Sequence, residues 1–203
     1  KQAFVRVKRL GGVDGQSLKL GRMEFVDGTE VSPKHATLAA LKRDRIAHRL
    51  LGHFGFTHVG RSLDGALYAI DRPALNVTVL GARPTQGVFQ VDGWGELSVN
   101  VFYGAVTGQV TGADGAGEWR VFGLAYRDGR DAVVRTDNRA LAIRRADVEP
   151  IDIGTIGGHY LHAAKTAAGT LDVLMWGAAQ TGSWGQLEHR AGAFAAEAEW
   201  QPP

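Results

Sequence analysis

The feature that most constrains the fold is a period-two alternation of apolar and polar residues, which recurs in short segments separated by turn signals. Repeated alternation of this kind is typical of the strands of a β-meander or barrel. Segments 4–10 and 17–25 flank a Gly-Gly-Val-Asp-Gly turn, and segments 63–70 and 75–82 flank a turn that contains Pro73. Each pair of segments predicts an antiparallel hairpin.

The same pattern continues to the end of the chain and gives about nine strands. The further strands are predicted over residues 97–106, 119–127, 151–163, 171–180 and 190–200. Short turns alternate with longer loops at 26–60, 83–96, 128–150 and 181–189. Outer-membrane barrels show this asymmetry, with tight turns on one side and long loops on the other. We therefore predict an all-β, antiparallel up-and-down transmembrane β-barrel, or an incomplete part of one, in a single domain over residues 1–203.

Each predicted strand has one apolar and one polar face, and this pattern has two interpretations. In the first strand, Val5 and Val7 alternate with Arg6 and Lys8. A soluble β-sandwich that binds carbohydrate would alternate in the same way, with the apolar face in its core. Segments of roughly nine to eleven residues favour tilted membrane strands. Aromatic residues near predicted strand ends favour a membrane girdle; they are Tyr103, Trp119, Tyr160 and Trp200.

The long loop 26–60 is predicted to be a helical insert. Ser32 and Pro33 suit a helix start, and the helical pattern runs to about His53. The predicted helix is basic, with Lys34, Lys42, Arg43, Arg45 and Arg49 against the single acid Asp44. A solvated helix face and an anion-attracting element both fit this pattern.

Composition removes several classes of protein. Mean hydropathy is −0.13 and charges occur throughout, so no stretch is apolar enough for a membrane helix. The sequence begins at Lys1, and we expect any secretory signal to have been removed or not to be included in it, so localisation has to be inferred from the body of the chain. Gly makes up 28 of 203 residues, which favours turns and close-packed strands. Arg makes up 17 of the 23 basic residues, and Arg suits bidentate contact with carboxylate, sulfate or phosphate.

Several short stretches resemble the alginate-export family of outer-membrane β-barrels. They are residues 18–22 (LKLGR), 61–65 (RSLDG), 176–185 (WGAAQTGSWG), 189–191 (HRA) and 195–198 (AAEA). The resemblance implies a porin-like protein of the bacterial outer membrane that moves anionic polysaccharide. Members of the family resemble eighteen-stranded barrels, which about nine strands cannot close. This chain is therefore predicted to be a fragment or a shortened relative.

The leading functional hypothesis is a passive channel for anionic solutes or for a polysaccharide such as alginate, in contact with outer-membrane lipid. Arg22, Arg61 and Arg120 are the candidate anion contacts. The candidate lumenal partners of these arginines are Asp64, Asp172, Gln180 and Glu197. A structural ladder of salt bridges is an equally good interpretation of the same residues.

No catalytic, metal or cofactor motif is recognised, so no enzymatic activity, no cofactor and no nucleic-acid partner are expected. His159 and His162 are predicted on opposite faces of one strand, which does not suit a shared metal ion. A carboxylate pair that includes Asp172 could make the protein an outer-membrane glycan hydrolase, and this hypothesis is kept as a further alternative.

Overall fold

The computed structural model describes residues 2–47, 49–51, 61–87, 95–112 and 115–203. Nine β-strands form one sheet, and each strand pairs antiparallel with the next one along the chain. The strands are β1 Ala3–Lys8, β2 Gln16–Met23, β3 Leu63–Asp71, β4 Leu75–Pro84, β5 Val99–Thr111, β6 Gly115–Asp128, β7 Ile151–Thr166, β8 Gly169–Trp184 and β9 Leu187–Gln201. The predicted all-β, up-and-down antiparallel class is confirmed. Within the described residues no ladder joins β1 to β9.

The connections differ in length at the two ends of the sheet. At the turn end, residues 9–15, 72–74, 112–114 and 167–168 join β1 to β2, β3 to β4, β5 to β6 and β7 to β8. At the loop end lie the long connections after β2, β4 and β6. The predicted long loop 181–189 is wrong, because only Gly185 and Gln186 separate β8 from β9. The predicted strands 97–106 and 119–127 are both longer in the structure, because β5 continues to Thr111 and β6 begins at Gly115.

The long connection after β2 folds against one face of the sheet. We call residues 24–47 and 49–51 the inner segment, and we call the face of the sheet that they cover the inner face. Phe25, Leu38 and Ile46 of this segment share a buried cluster with inner-face residues such as Leu80 and Leu161. The opposite side of the sheet is called the outer face.

The helical part of the inner segment is shorter than predicted. Helix α1 spans Ala36–Leu41 and continues as a π-helical turn over Lys42–Ile46. The predicted start at Pro33 is therefore wrong, while the predicted end near His53 lies outside the described residues. Ala and Leu favour the helix, and the π-helical turn ends at Ala47, whose ψ of 140° is no longer helical.

The connection after β6 contains a second short helix, α2, over Leu141–Ala146. The sequence did not predict it. Asp147, which follows α2, accepts a hydrogen bond from the backbone N–H of Gln186 at 3.1 Å and pairs with Arg139 at 2.6 Å. These contacts dock the loop onto the tight turn between β8 and β9. Among the described residues, no helix has the length and apolar character needed to cross a membrane.

Candidate functional site on the two faces of the sheet

The outer face exposes apolar side chains on strands throughout the sheet. Ile156 at the middle of β7 is 65% exposed, and Phe102 on β5 and Phe194 on β9 are 61% and 74% exposed. Val5, Leu20, Val79, Val121 and Met175 are exposed on the same face. All nine described strands belong to one sheet, so no second sheet of the described chain covers these residues. They would contact whatever solvent surrounds the protein.

The exposed apolar side chains form a band across the outer face, and a row of polar residues borders this apolar band at the loop end. Its members are neighbours from strand to strand: Arg22, Asp64, Arg83, Asn100, Arg127, Asp152, Ser183 and Glu188. Arg22 Nε donates to Asp64 Oδ1 at 2.7 Å, and Arg83 Nε donates to Asn100 Oδ1 at 2.9 Å. The row contains three arginines and three carboxylates, so it neutralises its own charge.

Aromatic side chains mark the other end of the band. Trp119 and Tyr160 are neighbours across β6 and β7, and Trp200 lies opposite Leu171. These three predicted girdle residues lie on the outer face near the turn end. Tyr103 does not, because it is 2% exposed on the inner face of β5. Its inward direction follows from its position one residue from the outward Phe102.

On the inner face, Arg120 of β6 binds two carboxylates of the inner segment. Its Nη2 lies 2.7 Å from Asp27 Oδ1 and 2.7 Å from Glu30 Oε1. The hydroxyl of Tyr103 lies at hydrogen-bond distance from the same two oxygens, at 2.8 and 2.7 Å. The guanidinium also lies over the ring of Phe122, 5.0 Å from its centroid. Arg120 therefore anchors the inner segment to β5 and β6.

A second buried ion pair lies beside the first. Lys42 Nζ of the π-helical turn lies 2.7 Å from Glu118 Oε1, and His159 Nε2 lies 2.9 Å from the same oxygen. The side chains of Lys42 and Glu118 are 3% and 0% exposed. Removing one partner of a buried pair typically costs about 3–5 kcal/mol, because it leaves an uncompensated charge. The two pairs therefore hold the inner segment in one position.

Burial also changes the acidity of Asp27. Loss of water around this carboxyl raises its pKa to about 6, and the positive charge of Arg120 limits the increase. Asp27 lies in the inner segment, between β2 and α1. Its protonation therefore reports on whether this segment is packed against the sheet.

The two lateral edges of the inner face carry opposite charge. Arg6, Lys8 and Lys19 lie on the inner face of β1 and β2. On β8 and β9 the inner face carries Asp172, which lies opposite Glu199, and also Glu197. Arg45 and Arg49 of the inner segment pair with Glu197, the latter at 3.3 Å. The inner face thus has a basic edge and an acidic edge.

The structure separates the seven candidate site residues. Arg120, Asp172, Gln180 and Glu197 lie on the inner face. Arg22 and Asp64 lie on the outer face, since Met23 and Leu63 beside them point inward. Arg61 lines a separate cavity near the loop end. Arg22 and Arg120 are already paired with carboxylates, so they match the structural interpretation better than the anion-binding one.

Sequence reasoning missed the basic edge as a candidate site. The alternation in β1 placed Arg6 and Lys8 together on a polar face, and this was the available signal. What it could not show was that Lys19 of β2 lies opposite Arg6. His159 and His162 lie on opposite faces as expected, and the described residues contain no cluster of three or more potential metal ligands.

Comparison with known proteins gives no relative on which to base a function. No protein-family model, curated protein or solved structure matches the chain.

Proposed function

We propose that this chain forms part of the wall of a porin-like channel in the bacterial outer membrane, through which anionic solutes or an anionic polysaccharide such as alginate pass without covalent chemistry. The observation that carries the proposal is the apolar outer face, bounded by a polar row at one end and by aromatic residues at the other. Outer-membrane barrels have this arrangement, with an apolar band between interfacial girdles.

The dimensions of the outer face support contact with lipid. On β6 the band runs from Trp119 to Arg127, about 26 Å along the strand at ~3.3 Å per residue. A tilt of about 40° reduces its height to about 20 Å, near the ~25 Å of an outer-membrane apolar band. Nine strands at ~4.8 Å spacing give a width of about 38 Å, so the patch covers roughly 1,000 Å². Monomeric soluble proteins rarely expose more than about 300–600 Å² in one patch.

The inner face supports an aqueous role. It carries the basic edge, the acidic edge and two buried ion pairs that fix the inner segment across β5 to β7. A segment that is held against the inner face narrows the space beside the sheet. Arg6, Lys8 and Lys19 are the basic residues that an anion would follow along this space.

The test is the conductance of the complete protein in planar lipid bilayers, with the reversal potential measured across a potassium chloride gradient. We expect discrete channels with a reversal potential on the anion-selective side. Replacing Arg6, Lys8 and Lys19 together by Gln is expected to move the reversal potential towards zero or cation selectivity. Arg127→Gln is the matched control, because Arg127 lies on the outer face. If no channels form, the proposal that the protein is a channel is contradicted. If the triple variant keeps the reversal potential of the unmodified protein, the proposal that these three residues guide anions is contradicted.

A further inference from the structure

A cavity of about 370 Å³ lies at the loop end of the inner face, between the end of the inner segment and strands β3 to β8. Most of its lining is apolar, with Leu50 and Leu51 from the inner segment and Leu63, Val101, Leu124 and Ile153 from the strands. Its volume falls in the lower part of the usual range for small-molecule sites, ~300–1,000 Å³. The apolar part of this lining would leave hydroxyls of a sugar without hydrogen-bond partners.

The polar groups of the cavity carry an excess of positive charge. Arg130 is neutralised by Asp128, with Nε and Nη2 at 2.8 and 2.6 Å from the two carboxylate oxygens. Gln180 donates to the hydroxyl of Thr155 at 3.1 Å. Arg61 is different, because its Nε is buried and has no hydrogen-bond partner in the described part of the chain.

The surroundings of Arg61 disfavour an unpaired positive charge on its side chain. Loss of water lowers its pKa, and the nearby charge of Arg130 lowers it further. Arg61 remains charged, since a guanidinium does not release its proton in proteins at ordinary pH. A ligand anion that accepted the Nε hydrogen would compensate this charge and satisfy the donor.

We infer that this cavity binds an amphipathic monocarboxylate, a free acid with one aliphatic chain, whose chain packs on Leu63, Leu124 and Ile153 and whose carboxylate pairs with Arg61. The apolar wall matches the aliphatic chain of such a ligand, and the guanidinium, which forms no ion pair among the described residues, matches its carboxylate. The inference goes beyond the proposed channel. It requires only the inner face and the loop end, so it holds whether or not ions pass beside the sheet.

The experiment measures binding of octanoate, labelled with carbon-13 at its carboxyl, to the protein in lipid nanodiscs by NMR. Protein-free nanodiscs correct for partitioning into lipid. We expect a saturable shift of the carboxyl signal, and competition by octanol about tenfold weaker than by unlabelled octanoate. Arg61→Gln is expected to weaken octanoate binding about tenfold, and Arg127→Gln on the outer face is expected to leave it unchanged.

A second variant tests the cavity without touching its charge. Leu124→Trp adds volume inside the cavity and is expected to abolish saturable binding while the far-UV circular dichroism stays unchanged. Octyl phosphate is the third probe. If it binds more tightly than octanoate, the inference of a free-acid ligand is overturned and a phosphorylated lipid is favoured instead. The inference is also overturned if octanoate behaves as in protein-free nanodiscs, or if Arg61→Gln and Leu124→Trp both bind it like the unmodified protein.

Discussion

Replacing Ile156 by Arg tests the solvent of the outer face through a change in stability. Ile156 lies at the middle of β7, between Gly123 and Ala179 of the neighbouring strands, and is 65% exposed. In hydrocarbon, an Arg at the middle of a barrel's apolar band costs about 2–4 kcal/mol. At a water-exposed surface, a substitution of this kind usually changes stability by less than about 0.5 kcal/mol.

The assay is urea unfolding in phosphatidylcholine vesicles, followed by the fluorescence of the five tryptophans. The matched control is Thr181→Arg, which lies on the outer face of β8 near the polar row and is expected to cost about 0–1 kcal/mol. The decisive quantity is therefore the difference in stability cost between Arg at the middle of the apolar band and Arg near its edge. If both variants unfold within about 0.5 kcal/mol of the unmodified protein, the outer face does not contact hydrocarbon and the reasoning is refuted.

Three further predictions concern the inner segment and one tight turn. Arg120→Met should lower the free energy of unfolding in the same assay by about 3–5 kcal/mol, because Asp27 and Glu30 lose their buried partner; a loss below about 1 kcal/mol would contradict the anchoring role. As the pH rises from 5 to 7, the free energy that holds the inner segment against the sheet should fall by about 1 kcal/mol, because the pKa of Asp27 is raised to about 6 and the packed state binds more protons than the released state. Hydrogen exchange of the inner segment measures this free energy, and Asp27→Asn should remove most of its dependence on pH. Gly185→Val should cost more than about 1 kcal/mol, because Gly185 has φ 63° and its added Cβ would meet a carboxylate oxygen at 2.4 Å, whereas Gly129→Ala, with no atom within 4 Å, should stay within about 0.5 kcal/mol.

The alternation of side chains predicted the strands and their faces well because it follows directly from the pleat. Val5 and Val7 point outward, and Arg6 and Lys8 point inward, as the sequence indicated. Strand ends were predicted less well. The small residues between the predicted strands 97–106 and 119–127 were not expected to be strand, yet residues 108–111 pair with residues 116–119 in a regular ladder. Glycine in a strand allows such close approach of a neighbouring backbone.

The inner segment explains why β8 carries two large apolar residues on the inner face. Leu174 and Trp176 occupy inner-face positions, where a strand that lined open water would carry polar residues. Both side chains are buried, and Arg49 of the inner segment lies over the ring of Trp176, 5.4 Å from its centroid. A sequence pattern reports burial but not the identity of the covering element.

The buried ion pairs could not be predicted from the sequence. Asp27 and Arg120 are 93 residues apart, and no local spacing brings them together. Arg120 was therefore a candidate anion contact, although in the structure its Nη2 already faces two carboxylates. The role of Arg120 as an anchor for the inner segment becomes visible only when that segment is packed against β6.

The most direct test of the account is the environment of nitroxide labels along β7. The chain has no cysteine, so single cysteines at positions 153 to 156 would each carry one label, and a Cβ at Gly154 meets no atom closer than 3.8 Å. The account predicts high collision rates with oxygen and low rates with a water-soluble nickel chelate at 154 and 156, and lower oxygen rates at 153 and 155. High nickel accessibility at the even positions in lipid vesicles would show that the outer face meets water, and this result would contradict the proposed membrane wall.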